Sequence, residues 1–240
     1  NHFAINIQPW EKDRLVQWMD DSQLAATLYP IVRGRITHIN QQPTNQALSK
    51  EALQTRALHR ELNTTWQSTL DDLNSIVQGT WDPSIAGVSV ERELSENLDL
   101  KIGDSIGLSV AGQRIDVPIT SIREVNWQSF RPNFFLIFTP ELLDTFPATY
   151  ITSFNIPDAQ ASKSIELVKA FPTITLIDID KIFKQAQSII NKLADSASLI
   201  MFLTVISGAL MLLTILQQEL AQRRYEGALL QTLGASEQQT

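Results

Sequence analysis

At 240 residues the chain can hold one large or two small folded domains, and its 43% hydrophobic content supplies an ordinary core without covalent staples. A formal net charge of −7 argues against the basic face that nucleic-acid binding requires. With no cysteine, disulfides and thiolate metal sites are excluded, and the redox compartment stays open.

Phe3, Ile5 and Ile7 alternate with polar or small residues, which predicts a strand. Pro9 and Trp10 open a helix whose apolar side is Leu15, Val16, Trp18 and Met19. Residues 29–39 read as a second strand, interrupted at Arg33-Gly34-Arg35, completing a β-α-β unit. A turn cluster with Pro43 follows. Residues 47–62 carry a helical pattern, and residues 63–79 are mixed and polar, with no clear assignment. Residues 88–97 suggest a strand and a short helix. Residues 98–126 look all-β: Ile106, Leu108 and Val110, then Ile115, Val117 and Ile119, alternate between turns at Gly103-Asp104 and Gly112-Gln113. Residues 134–138 form a short apolar strand, so the middle of the chain reads as a small, barrel-like β subdomain. A second β-α-β unit follows, with a strand at 150–156 closed by Pro157, a helix at 159–170 and a strand at 173–179. The fold class expected is α+β. Residues 1–45 and 145–180 form one α+β part, and residues 46–144 a mostly-β insert.

Asp180 can cap a new helix. Ile182, Ala186, Ile189 and Leu193 then recur at four- and three-residue spacing, which places them on one narrow face. That face either packs on its own domain or belongs to a stalk over residues 181–196. No Gly or Pro interrupts the chain from Lys181 until Gly208. Residues 197–216, ASLIMFLTVISGALMLLTIL, contain no charge. A helix of that length spans roughly 30 Å, the thickness of a bilayer's hydrocarbon core. It closes its own backbone hydrogen bonds, so it can sit in lipid. Thr204 and Gly208 make a small-xxx-small pair within it. Arg223 and Arg224 favour a cytoplasmic C-terminal side, but Lys181, Lys184 and Lys192 precede the span, so the basic residues leave orientation open. The chain opens on Asn1 rather than Met and stops within a polar helical pattern. It therefore reads as an internal segment of something longer, with no signal-peptide pattern at its start.

Gly103-Asp104-Ser105-Ile106-Gly107 matches the G-x-S-x-G nucleophile pattern. Serine attack needs a base, usually histidine, and the hydrolases with such motifs place it downstream. The three histidines here are His2, His38 and His59, so none follows Ser105, and the motif reads as a turn between strands. His59-Arg60-Glu61 lacks the second histidine of a zinc helix. There is no phosphate loop, so the chain has no such device for holding ATP. Asp178 and Asp180 are neighbours, but helix capping accounts for Asp180. Trp66, Trp81 and Trp127 are expected in the core, although a surface for an apolar ligand is the alternative.

Two blocks carry a family likeness. The tail, ELAQRRYEGALLQTLGAS over residues 219–236, resembles the segment after the second membrane helix of FtsX/MacB-type ABC permeases. The matching positions are Arg223, Arg224, Glu226, Gly227, Ala228, Leu229, Leu230, Leu233, Gly234 and Ala235. The second block, VNWQSFRPNFF over residues 125–135 followed by Pro147-Ala148-Thr149-Tyr150-Ile151, is similar to the YbbP-like branch of that superfamily, as are residues 60–81 and 94–104. The resemblance implies a non-catalytic membrane subunit of the bacterial inner membrane, holding no cofactor of its own and pairing with a cytoplasmic ATPase that binds ATP. It implies a periplasmic domain (residues 1–196) of porter-like α+β units with a small β part. A stalk, a membrane helix (197–216) and a cytoplasmic coupling helix (217–240) complete it. Membrane lipid and a periplasmic protein would be its other partners, and a lipid-like or hydrophobic substrate its cargo. On this reading Arg223, Arg224, Glu226, Leu229, Leu230, Leu233 and Gly234 contact the ATPase. The family often carries Arg or Lys at the position of Gln231 and after the Gly-Ala-Ser, where this chain has Glu237-Gln238, so coupling would rest more on apolar packing. A membrane-anchored extracytoplasmic ligand sensor shares the domain, stalk and span, but the Leu-Gly-Ala ending speaks against it. A serine esterase built on Ser105 is disfavoured by the histidine positions.

Overall fold

The computed structural model describes residues 1–157 and 160–232, with side chains described as far as residue 222. It divides into two units, Asn1–Asp180 and Lys181–Thr240. The strands of the first unit begin with β1 (His2–Ile7), β2 (Tyr29–Ile39), β3 (Gln42–Pro43), β4 (Leu62–Trp66), β5 (Asn74–Gly79) and β6 (Val88–Glu91). They continue with β7 (Ser105–Val110), β8 (Gln113–Val125), β9 (Leu136–Phe138), β10 (Thr149–Phe154) and β11 (Thr175–Asp178). The helices are α1 (Lys12–Asp21), α2 (Thr44–Ala47), α3 (Arg92–Asn97), α4 (Pro140–Leu143), α5 (Ser162–Ala170) and the long α6 (Ile179–Thr232).

The two predicted β-α-β units are present, and they interleave. The sheet runs β11-β1-β10-β2. β1 is antiparallel to both β10 and β11, and β10 is antiparallel to β2. Each unit therefore leaves a gap between its own two strands, and a strand of the other unit fills it, which is the split β-α-β-β-α-β arrangement. One core lies here, with Ala4, Ile7, Leu15, Met19, Phe154, Leu167 and Phe171 buried between α1, α5 and the sheet. Each of the larger side chains contributes about 1.5–3 kcal/mol.

β2 leaves this sheet and enters a barrel. Its residues Tyr29–Ile31 pair with β10, Val32–Gly34 pair with β4, and Gly34–Ile39 pair with β7. From there the pairing closes on itself: β2 with β4, β4 with β9, β9 with β6, β6 with β8, β8 with β7, and β7 back to β2. Closure removes the exposed edges from these strands. The inward positions fill with Ile36, Leu62, Val90, Ile106, Leu108, Val117, Ile119, Leu136 and Phe138. Arg33-Gly34-Arg35 is thus no break in β2. A Cβ on Gly34 would lie 2.7 Å from Leu108 Cδ2, so a larger residue would force the buried Leu108 side chain aside where the strand passes from sheet to barrel.

Three stretches depart from the sequence expectation. The single turn α2 ends at Ala47, and over the rest of 47–62 the helical content is two 3-10 turns, Ala52–Gln54 and Arg56–Leu58. Leu48 is extended and the Ser49 hydroxyl accepts a bond from Ala52 N, so local side-chain bonding breaks the helix while Ala52, Ala57 and Leu58 turn into the barrel core. Within 63–79 lies β4, whose Thr64 and Thr65 are fully buried; Thr64 donates to Val32 O at 2.8 Å. Asp180 lies inside the first turn of α6, after a start at Ile179, rather than at the cap.

The second unit is α6. The helix has 54 residues, about 80 Å at 1.5 Å per residue, and it continues through Gly208 without a break.

Candidate functional site

α6 contains a stretch, Ile179–Gln222, long and apolar enough to cross a membrane, with an apolar window of mean hydropathy 2.6 and 0% buried. The predicted stalk positions Ile182, Ala186, Ile189 and Leu193 lie along one line of this helix and are exposed, Leu193 at 65%. Phe183 and Ile190 widen that line into a stripe. Within the apolar window Thr204 and Thr214 return their hydroxyls to Ile200 O and Leu210 O, so neither leaves an unpaired polar group for lipid. Nothing lies within 4 Å of a Cβ placed on Gly208. Of the predicted coupling residues, Arg223, Arg224, Glu226, Leu229 and Leu230 lie on the helical backbone of α6, while Leu233 and Gly234 fall outside the described residues.

The second block of the family likeness is organised by a residue that the sequence did not flag. Arg123 on β8 is fully buried. Its Nε donates to Asn74 Oδ1 at 2.8 Å, and one terminal nitrogen donates to Ser89 O at 2.8 Å and Phe135 O at 3.3 Å. The other terminal nitrogen donates to Phe134 O. Among the described residues no carboxylate forms an ion pair with it; amide and carbonyl oxygens solvate its charge. Burial pulls its pKa down to about 9, opposed by the charges of Glu91 and Asp71. Neighbouring bonds extend the network, because Asn74 donates to Asp71, and Tyr29 OH donates to Asp71 Oδ2 at 2.9 Å. Burial, then Asp71, pushes the Tyr29 phenol up to about 12. One guanidinium therefore fixes the end of the 126–135 loop to β5 and β6.

That loop holds its shape with Gln128 N donating to Asn126 Oδ1 and Asn133 Nδ2 donating to Asn126 O. Trp127 packs at a tilt against Phe135, ring centroids 4.9 Å apart and planes 45° to one another, yet stays 44% exposed, and Phe130 is 46% exposed. Trp66 packs against the barrel core and Trp81 against the cluster of Tyr29, Phe134 and Ile137. Of the three tryptophans expected in the core, Trp127 is the one at the surface. Arg131 pairs with Asp72, and their hydrogen bond holds that carboxyl below its usual range.

The nucleophile-like motif is a turn leading into β7. Asn40 donates to Asp104 Oδ1 and accepts from Ser105 N, while Asp104 accepts from Lys101 N. The register brings His38, upstream in sequence, opposite Gly107. A Cβ on Gly107 would meet His38 Cβ at 2.7 Å and Asp116 Oδ1 at 2.8 Å. His38 Nδ1 nevertheless pairs with the Thr37 hydroxyl at 3.0 Å, and no side-chain hydrogen bond joins Ser105 to a base. His59 Nε2 lies 2.7 Å from Leu53 O. Among the described residues no group of three or more His, Asp or Glu side chains is arranged to hold a metal ion.

No family model matches the chain. Over 236 residues, 98% of its length, the chain is 36% identical to the uncharacterized ABC transporter permease YbbP of Escherichia coli (strain K12). The chain is a homologue of that permease. The match takes in both the folded unit and α6, so the resemblance to YbbP read from the two blocks is borne out. The chain spans 28% of the length of YbbP.

Proposed function

We propose that this chain is the extracytoplasmic domain, stalk, membrane helix and coupling segment of an ABC permease subunit. Its work is driven by a separate cytoplasmic ATPase. The observation that carries the reading is the identity to YbbP over 98% of the chain, in a molecule whose last unit is one unburied apolar helix. The split β-α-β-β-α-β sheet with an inserted barrel supports the porter-like, FtsX/MacB-type domain that the tail motif implies. On this reading residues 1–196 lie in the periplasm and residues 217–240 in the cytoplasm of a bacterial inner membrane. The cargo is lipid-like or hydrophobic, a proposal that rests on family analogy.

ATP-driven closure of the ATPase would move the segment from Arg223 to Gly234. A stiff element must then carry that motion outward. The uninterrupted helical backbone of α6 supports such a role. A Gly-Gly insertion beside Leu193 tests it in the full permease–ATPase complex. Helix interruption is expected to leave ATP hydrolysis running while substrate movement stops. Unchanged transport by the insertion variant would refute the stalk. Failure of any ATPase to copurify with the full-length protein would refute the permease assignment itself.

A further inference from the structure

The barrel is closed, but β5 lies outside its ring. Among the described residues it pairs with β8 alone and ends the sheet. The peptide groups of β5 that face away from β8 therefore have no strand to bond. Natural edge strands usually carry charge or proline to repel a further strand, and Asn74-Ser75-Ile76-Val77-Gln78-Gly79 has neither. Its pairing with β8 shifts between Ile76 and Gln78, a bulge that breaks the usual alternation. Ile76 and Val77 are accordingly both exposed, at 43% and 47%. Beside the strand runs a groove of about 490 Å³ with Val77, Leu100 and Ile122 as its apolar lining. Ile102 stands next to Gly79 at one end, and the 126–135 loop with Trp127 leaves β8 at the other.

The charges around this edge select what can cover it. Asp71 and Asp72 precede the strand, Asp82 follows it, and Glu124 lies opposite Ser75. Glu96 and Asp99 border the groove. Among the described residues three surface cations stand among these six carboxylates, and each is engaged: Arg92 by Glu96 and Glu124, Lys101 by Asp99, and Arg131 by Asp72; a fourth cation, Arg123 opposite Ile76, is fully buried beneath the strand. The rim is thus acidic. A second copy of the chain would bring the same acidic rim to the contact, and an anionic bilayer surface would be repelled.

We infer that the free edge of β5 is a docking site for an extended segment of a separate polypeptide in which apolar residues alternate with lysine or arginine. The segment would add a strand to β5 through its backbone, set apolar side chains on Ile76, Val77 and the groove, and place its cations against the rim.

The test uses the full chain in nanodiscs of neutral phosphatidylcholine. The probe is a fluorescent nonapeptide alternating valine and lysine. Two controls accompany it, one alternating valine and glutamate, and one valine–lysine peptide methylated on alternate backbone nitrogens. The expected result is saturable binding of the first probe, weakened by salt, with about tenfold or greater loss for either control. Val77→Pro and Ile76→Lys should each remove binding to a similar degree while the circular-dichroism spectrum stays native, the lysine variant serving if proline disturbs the strand. Equal binding of the methylated peptide would overturn strand addition, because charge alone would then explain it. No binding of any probe, or dimerisation of the chain abolished by the same substitutions, would overturn the assignment of the partner.

Discussion

Arg123 offers the sharpest test of how the family-like block is held. Arg123→Met keeps most of the side-chain volume, so the packing penalty is small. It removes the donors that satisfy Ser89 O, Phe134 O and Asn74 Oδ1 in a fully buried place. Each acceptor left dry costs about 1–3 kcal/mol. Sparing the chain the burial of a guanidinium returns several kcal/mol, because desolvating an unpaired charge is expensive. The net expected loss is about 3 kcal/mol, a large share of the total stability of a domain. Urea unfolding of the detergent-solubilised chain measures it, in a background where Trp10, Trp18, Trp66 and Trp81 are replaced by phenylalanine so that Trp127 alone reports. Because Trp127 packs against Phe135, its emission should shift to the red even in the native baseline as the loop loosens. A loss below about 1 kcal/mol with unchanged Trp127 emission would show that the carbonyls have other partners, and that the loop does not depend on Arg123.

The Tyr29 phenol titrates at about 12. Absorbance at 295 nm should show a late phenol step that Tyr29→Phe removes. The folded pKa lies above the unfolded value of about 10. The contribution to stability is therefore complete below pH 10 and is lost as pH rises from there to about 12; a unit equally stable across that window would contradict the burial of the phenol beside Asp71. In the apolar helix, Leu210→Arg should raise the cost of membrane insertion by about 2.5–3.5 kcal/mol, read as a fall in the inserted fraction in a glycosylation-mapping assay. Undiminished insertion would show that residues 197–216 do not lie in lipid.

Local pattern was readable wherever one periodicity dominated. The apolar residues of β2 mark its full extent, 29–39, and the Ile115-Val117-Ile119 alternation marks the inner face of β8. What escaped is non-local. Interleaving of the two β-α-β units depends on β10 entering between β1 and β2, more than a hundred residues away in sequence. Closure of the barrel depends on β9 lying parallel to β4. β4 was hidden because Thr64 and Thr65 look like surface residues until their neighbours are known, Thr64 being buried by giving its hydroxyl to Val32 O. Arg123 was hidden for the same reason, since an arginine in a strand reads as solvent-facing unless carbonyls converge on it. Its position just before the 125–135 block was the available signal.

The surroundings of α6 follow from free energy alone. Between Leu199 and Leu216 thirteen large apolar side chains are exposed, Met211 at 67% and Ile206 at 40%. Burying each is worth about 1.5–3 kcal/mol, so leaving them in water forgoes about 20 kcal/mol or more. That exceeds the entire stability of an ordinary domain, about 5–15 kcal/mol. A folded body can tolerate an exposed leucine; it cannot tolerate thirteen on one helix. Lipid covers such a helix on every side, and other helices of a membrane bundle can cover part of it. In either case the covering is in the bilayer, because the exposed residues encircle the helix and leave no polar face for water. The folded unit ends at Asp180, in the first turn of this helix, which starts at Ile179. A chain built this way has to work at a membrane, whatever the cargo is.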